Sequence, residues 1–258
     1  SMTCSATSSD PDGEALSTGY EWFLNGASVG IMSTLDLSSV SASPFDLVEC
    51  TVTVTDPTGA TASMTNSATV ANSNPTIDVL TLSPVEPTLN DTLSCYAEAS
   101  DVDGDTPVLS FAFTNQTTGV AYAPTTSSIN VATLDISTTS SSYNDVLTCT
   151  VTAEDAQGAV STSSDSVTVV NTSPVFDQGA VIDPVVVEIG TTATCSAVAS
   201  DPDDGVAGTT YLWHVNGVQV KEGQSWLVNS TDASVGNSLT CTAIAIDYTS
   251  NSTTSVSF

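Results

Sequence analysis

A cysteine, a group of acidic residues and a large aromatic residue recur three times at fixed spacing, and no other feature limits the fold as strongly. The copies read Cys4, Asp10-Pro11-Asp12-Gly13-Glu14, Tyr20-Glu21-Trp22; then Cys95, Asp101-Val102-Asp103-Gly104-Asp105, Phe111-Ala112-Phe113; then Cys195, Asp201-Pro202-Asp203-Asp204-Gly205, Tyr211-Leu212-Trp213. In each copy the first Asp stands six residues after the cysteine and the aromatic eighteen after it. A constant period of this kind marks tandem structural units. The units read as residues 1–73, 74–172 and 173–258, each long enough to hold its own core.

The six cysteines fall two to a unit: Cys4 and Cys50, Cys95 and Cys149, Cys195 and Cys241. The repeat selects one pairing among the many available, because each unit should close its own loop. Closing a loop of this size stabilises a unit by roughly 4 kcal/mol in the chain-entropy model. Disulfides place the protein in an oxidising, extracellular compartment. Metal spacing such as Cys-x-x-Cys is absent.

The 258 residues carry a net charge of −28, with one Lys (Lys221), one His (His214) and no Arg. Nucleic acid and anionic membranes are therefore excluded as partners, since phosphate binding needs cations. No apolar run approaches the roughly 18 residues of a spanning helix. The chain opens without a secretion signal and reads as a mature chain or an internal piece. A hydrophobic content of 40% argues against disorder despite the charge.

The strand signals are dense. Around the second cysteine, Cys50, Val52 and Val54 alternate with Thr51, Thr53 and Thr55, a period of two with one buried face. Cys149, Val151 and Ala153 alternate with Thr150, Thr152 and Glu154 in the same way. Asn25-Gly26 and Asn216-Gly217 predict tight hairpins, because both central residues of such a turn need positive φ. The middle unit replaces them with the longer Thr114–Gly119 loop. Asp56-Pro57-Thr58-Gly59 and Asp155-Ala156-Gln157-Gly158 are further turns. Units two and three carry about twenty residues between an opening proline, Pro75 or Pro174, and the first cysteine. These segments, Pro75 to Ser94 with Thr76, Val79, Leu80, Leu82 and Val85, and Pro174 to Thr194 with Val185, Val186, Val187 and Ile189, each predict a first strand, and unit one lacks it. Either the chain is a slice of a longer array, or a neighbouring molecule supplies that strand. The links Asn72-Ser73-Asn74-Pro75 and Asn171-Thr172-Ser173-Pro174 are short and stiffened by proline. No stretch reads as a long helix, so the fold class is all-β, three tandem sandwiches.

Cysteine, aromatic, cysteine at this spacing resembles the immunoglobulin-like sandwich. The resemblance implies disulfides joining strands B and F, with Trp22, Phe113 and Trp213 as the strand C aromatics packed on them. The corner tyrosine of that family is replaced by Val48, Leu147 and Leu239. Tyr-x-Trp before Asn-Gly, the Asp-x-Asp loops and the Asn-x-x-Pro links look more like the PKD-like, cadherin-like and bacterial Ig-like modules of bacterial and archaeal surface proteins.

The acidic loops are the candidate site. Asp10 and Asp12, Asp101, Asp103 and Asp105, and Asp201, Asp203 and Asp204 fall in the B–C loop of the resembled fold. Asp56, Asp155 and Asp247 stand six residues past each second cysteine, in the F–G loop. The two loops share one end of an Ig-like sandwich, beside the link from the preceding unit. Clustered hard oxygens with few cations nearby suit Ca2+; without it, like charges repel or hold protons. The plain alternative is a set of solvated turns in which Asp side chains cap the backbone. The EF-hand pattern is not met.

Catalysis has little to build on, since any Ser-His-Asp arrangement rests on His214 alone. The chain is expected not to be an enzyme. Asn90, Asn115, Asn171, Asn229 and Asn251 head Asn-x-Ser/Thr sequences, which are glycan acceptors or chance products of a Ser/Thr-rich chain. Ile244 and Ile246 take the outward positions held by Thr53 and Thr55 in unit one, and form either a contact patch or a surface covered by a local loop. The leading expectation is a self-associating structural segment of an extracellular fibre, stalk or sheath. The alternatives are an adhesin or glycan-binding module, with Trp226 as its aromatic platform unless that residue is core, and a spacer of a secreted hydrolase.

Overall fold

The computed structural model describes residues 1–203, 205–249 and 252–257. It is all-β, three tandem Ig-like sandwiches, each with one disulfide. Repeat one contains β1 (Met2–Thr3), β2 (Ser17–Leu24), β3 (Ala27–Gly30), β4 (Thr34–Leu35), β5 (Leu47–Thr55) and β6 (Thr61–Thr69). Repeat two contains β7 (Thr76–Ser83), β8 (Thr92–Ser100), β9 (Val108–Asn115), β10 (Val120–Tyr122), β11 (Thr126–Ser127), β12 (Val131–Asp135), β13 (Val146–Glu154) and β14 (Val160–Thr168). Repeat three contains β15 (Val175–Asp183), β16 (Thr192–Ser200), β17 (Val206–Val215), β18 (Val218–Glu222), β19 (Ser225–Leu227), β20 (Leu239–Asp247) and β21 (Ser252–Ser257). The only helical pieces among the described residues are two 3₁₀ turns, Leu37–Val40 and Ile136–Thr138. Each is capped by an Asp carboxylate, from Asp36 and Asp135.

The sheet orders repeat. One sheet runs β3-β2-β5-β6 in repeat one, β10-β9-β13-β14 in repeat two and β18-β17-β20-β21 in repeat three. The other runs β1-β4, β11-β12-β8-β7 and β15-β16-β19. Cys4–Cys50, Cys95–Cys149 and Cys195–Cys241 are all formed. Each ties the first cysteine's segment to a central strand of the opposite sheet, the B–F connection.

Local chemistry accounts for the elements. In β5 the alternation buries Val48, Cys50 and Val52 and leaves the threonines on the outer face. Asn25 and Gly26 have φ of 48° and 83°, and Asn216 and Gly217 have 50° and 84°, the left-handed pair a two-residue hairpin requires. Trp22, Phe113 and Trp213 are buried, as the spacing predicts. Trp22 Nε1 donates to the Met32 carbonyl at 2.8 Å and Trp213 Nε1 to the Gly223 carbonyl at 2.9 Å, so the two tryptophans satisfy the same need in the same way.

The first strands are only partly as expected. β7 covers the predicted stretch up to Ser83. In repeat three, however, the strand is Val175–Asp183, and Val185 to Ile189 lie beyond it, with Val185 and Val186 exposed. Pro184 follows the strand and has no N–H to continue a ladder.

By compactness the chain divides into two units. One comprises Ser1–Val79, Ala97–Ser110 and Thr152–Ser163; the other comprises Leu80–Tyr96, Phe111–Val151 and Ser164–Phe258. The first unit thus joins repeat one to the acidic loops of repeat two and the link at 72–75.

Candidate functional site

The acidic loops begin as backbone devices. Asp10 Oδ1 accepts from the Asp12 N–H at 2.7 Å, Asp101 Oδ1 from Asp103 at 2.7 Å, and Asp201 Oδ1 from Asp203 at 2.8 Å. In the second loop Asp56 Oδ1 accepts from Ala60 N–H at 2.8 Å, Asp155 Oδ1 from Ala159 at 2.7 Å, and Asp247 Oδ1 from Thr249 at 2.9 Å. One oxygen of each carboxylate is therefore spent on its own turn, as short Asp side chains do.

Other carboxylate oxygens of these loops, on Asp103, Asp155, Asp203 and Asp247, meet the links. Asn72 Nδ2 donates to Asp155 Oδ2 at 2.7 Å, and Ser73 N–H donates to Asp103 Oδ2 at 2.6 Å. Ninety-nine residues on, the arrangement recurs. Asn171 Nδ2 donates to Asp247 Oδ2 at 2.9 Å, and both the Thr172 N–H and its hydroxyl donate to Asp203 Oδ2. Asn72 and Asn171 also brace their own links through the carbonyls of Ser73 and Thr172. The expectation that the two loops share the end facing the link is realised at both links.

Burial follows from the same geometry: Asp155 is 6% exposed and Asp247 2% exposed. Hydrogen bonding keeps Asp155 ionised. The Asn72 amide, with the N–H groups of Ala159, Gln157 and Gly158, holds its carboxyl below the usual range against the opposing pull of burial. Asp56 is lowered as well, chiefly by the Thr58 hydroxyl and the Ala60 N–H.

Several acceptor oxygens at the links are buried with no hydrogen-bond partner among the described residues. They are Asn72 Oδ1, Asp101 Oδ2 and Asp105 Oδ2 at the first link, and Asn171 Oδ1 and Asp203 Oδ1 at the second. Buried acceptors left this way are costly unless something positive meets them. In repeat one, ligand atoms of Asp10, Glu14 and Asp56 lie within 4.8 Å of one another. Asp12 is exposed and outside that group. Glu14 was not singled out from the sequence, although it stands where Asp105 stands, ten residues past the first cysteine. Asp204 lies outside the described residues.

The link asparagines were also missed as functional residues. Their signal is an Asn three residues before each opening proline, at Asn72 and Asn171. Asn171 was instead read as a glycan acceptor. Its Nδ2 donates to three acceptors, Asp247, Thr172 and Thr249, and a glycan on that atom would displace them. Asn115 is fully buried, with Nδ2 on Asp145 at 2.7 Å, and is no glycan acceptor in the folded chain either. Asn229 is exposed, but its amide bonds Asp232. Asn90 is exposed, and Asn251 lies outside the described residues.

Trp226 is not a surface platform. It is 2% exposed, its ring centroid 5.7 Å from that of Trp213. It sits opposite Ala193, as Leu134 sits opposite Leu93 and Leu35 opposite Met2. Ile244 and Ile246 are half-buried on the outer sheet face, flanked by Thr210 and Thr254 and by Gly208 and Ser252. His214 lies across from Thr240 and Gln219.

No protein-family model matches this chain, and no curated protein matches it. Among solved structures it is similar to a 1.5-MDa bacterial ice-binding adhesin, at 17% identity and a TM-score of 0.32, over 95% of this chain and 85% of that one. It is similar to the N-terminal eight Ig domains of the Down syndrome cell adhesion molecule, at 13% identity and a TM-score of 0.43, over 92% of this chain and 32% of that one. It is also similar to a Ca2+-stabilised adhesin of an Antarctic bacterium, at 15% identity and a TM-score of 0.29, over 95% and 65%. These are distant likenesses, and the fold described above rests on this chain's own strands and disulfides.

Proposed function

We propose that residues 1–73, 74–172 and 173–258 are three modules of an extracellular structural array, a stretch of surface fibre, stalk or sheath stiffened at its links. The observation that carries this reading is the recurrence at both links of one bonding scheme, an Asn amide and a backbone N–H reaching one carboxylate in each of two loops. A link tied at two points resists both bending and twisting, which suits load-bearing better than ligand exchange. Three disulfides and the scarcity of Lys and Arg, which leaves trypsin-like proteases little to cut, fit a durable extracellular role.

Calcium fits the same residues. Asn72, Asp101 and Asp105 at the first link, and Asn171 and Asp203 at the second, present buried oxygen atoms of the kind a hard cation takes. Bound there, the ion would supply the positive charge that the crowded carboxylates lack. The chain's own contribution is to hold these oxygens in place through the link hydrogen bonds.

Self-association is assigned to the outer face of β17, β20 and β21, where Leu212, Ile244, Ile246 and Val256 gather in a chain otherwise rich in carboxylates. Unchanged assembly in the Ile244→Thr/Ile246→Thr variant would refute it. The glycan-binding alternative loses its aromatic platform with the burial of Trp226. No catalytic role is proposed, and hydrolytic activity abolished by mutating a carboxylate pair would overturn that. The experiment is electron microscopy with calcium and then with chelator. Straight, regular rods or fibres that lose regularity on chelation are expected. Flexible, freely jointed particles in both conditions would sink the reading.

A further inference from the structure

Repeat three is apolar on both of its outer faces. One face lies on β17, β20 and β21. Its side chains alternate, so Leu212, Ile244, Ile246 and Val256 stand outside while Trp213, Ala243 and Ala245 are buried. The equivalent positions of repeat one hold Glu21, Thr53, Thr55 and Thr65. The second face lies on the opposite sheet, β15, β16 and β19. There Val175, Val181, Val198 and Leu227 are between 44% and 60% exposed. Val198 stands three residues past the first cysteine, where repeat two has Glu98. Carboxylates stand at the rims. Glu222 lies across from Leu212 on the edge strand β18, and Asp183 and Asp177 lie toward the two ends of the second face, where Asp177 accepts from the Ser200 hydroxyl. In a chain of net charge −28, these faces are where a second copy can lie without setting carboxylates against each other.

The Cys195–Cys241 bridge puts the two faces on a common scale. Ile182 pairs with Cys195 in one sheet and Trp213 with Cys241 in the other, so these four residues mark one level. One residue from that level, away from the acidic loops, the outward residues are His214 on the first face and Asp183 on the second. One residue toward the loops they are Leu212 and Val181; three residues toward them, Ile244 and Val198; five, Ile246 and Val175. Two copies laid side by side and pointing the same way therefore match apolar residues at three successive levels. They also set the chain's one histidine against Asp183. Copies pointing opposite ways would set His214 against Val175 and Asp183 against Ile246, and the polar pair would be lost.

We propose that repeat three carries both halves of one lateral contact, in which the β17–β20–β21 face of one copy packs on the β15–β16–β19 face of the next. This rests on the assignment of self-association to the first face and names what that face meets. The contact is heterologous. Each added copy leaves one half open at either side, so assembly without rotation runs on as a ribbon or sheath and does not close as a pair. Apolar burial drives the contact, and an imidazole N–H of His214 donating to Asp183 fixes its direction.

The test is sedimentation velocity over a rising concentration series, run in chelator so that calcium plays no part. Wild type is expected to grow without stopping at a dimer. Two variants take their siblings' side chains and so keep the fold: Ile244→Thr/Ile246→Thr, after Thr53 and Thr55, and Val198→Glu, after Glu98. Each lacks one half of the contact and should stay monomeric alone. Mixed one to one, they should form a dimer and nothing larger, because the mixture holds a single working pair of faces. His214→Asp should weaken wild-type assembly by at least about tenfold, and Asp183→His in the same chain should restore it. Wild-type assembly in Val198→Glu would mean that the first face meets itself, which overturns the proposal and leaves self-association standing. A mixture that forms no dimer, or a His214→Asp variant that Asp183→His does not rescue, would overturn it as well. A wild type that stays monomeric at every concentration would overturn self-association and this contact together.

Discussion

Replacing Asn171 by Asp exchanges the amide nitrogen for a carboxylate oxygen and reverses the chemistry of the second link. Asn171 Nδ2 donates to Asp247 Oδ2 at 2.9 Å, and Asp247 is 2% exposed. Alanine at 171 removes this donor from a buried carboxylate, a loss of about 1.5–3 kcal/mol for a hydrogen bond to a charged group. Aspartate removes it and adds a second negative charge. At about 4 Å and an effective dielectric near 20, two unit charges repel by about 4 kcal/mol. Asn171 is only half-buried, so water reduces that figure, and an excess of about 1–2 kcal/mol over alanine is expected. For a repeat of fewer than 100 residues this lowers Tm by roughly 4–16 °C beyond the alanine variant. The assay is thermal and urea unfolding of wild type, Asn171→Ala and Asn171→Asp, each in chelator and in millimolar calcium. In chelator the order of stability should be wild type, alanine, aspartate. Calcium should raise the aspartate variant most, because the added carboxylate is one more hard oxygen ligand. An aspartate variant as stable as wild type in chelator would show that the amide does not hold the link, and the proposed stiffening would fall with it.

Three other perturbations follow from particular residues. Trp226→Ala should destabilise repeat three by about 3–5 kcal/mol in urea melts, because the side chain is core against Trp213; a stable variant with lost glycan binding would restore the platform reading. Phe45 is 66% exposed at a φ of 71°, where its counterparts are Asn144 and Gly236, so Phe45→Asn should stabilise repeat one by about 1 kcal/mol; destabilisation would mean that the ring has a packing partner. Asp155 has a folded pKa below its unfolded value near 3.8, so its contribution is fully present above about pH 4 and is lost as pH falls through the lower folded value. Exchange at the Ala159 amide, which donates to Asp155 Oδ1, should therefore quicken, relative to its intrinsic rate, below pH 4 and not between pH 5 and 8.

The sandwich was legible because its determinants are local and repeated. Alternation around Cys50 and Cys149, the Asn-Gly pairs and the constant cysteine-to-aromatic interval each fix one element, and they agree. The site was legible in part, since the spacing placed both acidic loops at one end but did not say what meets them. Asn72 and Asn171 escaped notice because a side-chain amide gives no signal of its partner until the link is folded against the loops. Asn171 and Asn115 were drawn to the glycan reading by a three-residue pattern that carries no information about burial. Trp226 takes the place of Leu35 and Leu134, and only the strand pairing reveals why it is larger. The position opposite it is Ala193, where the siblings have Met2 and Leu93, so the large residue moved across the strand pair while the filled volume was kept.

The place of the acidic loops follows from the bridges. Asp101 is six residues past Cys95, and Asp155 is six past Cys149. Six residues of strand rise roughly 20 Å, and an even offset keeps each Asp on the inward face its cysteine occupies. Two strands joined at a disulfide and running the same distance beyond it deliver Asp101 and Asp155 to one level, where Asn72 meets Asp155 and Ser73 meets Asp103, whose own N–H is held by Asp101. The bridge therefore sets the height of both anchors. Removing it in a Cys95→Ala/Cys149→Ala variant should cost roughly 4 kcal/mol through the unfolded chain. It should also let the two strands shift in register against each other, so that the Ser73 amide loses protection at denaturant concentrations where β13 is still intact. Asn72→Ala should quicken Ser73 exchange without touching β13. If Ser73 and β13 instead open together in both variants, link and repeat form one cooperative unit, and the anchors are not separable from the fold that carries them.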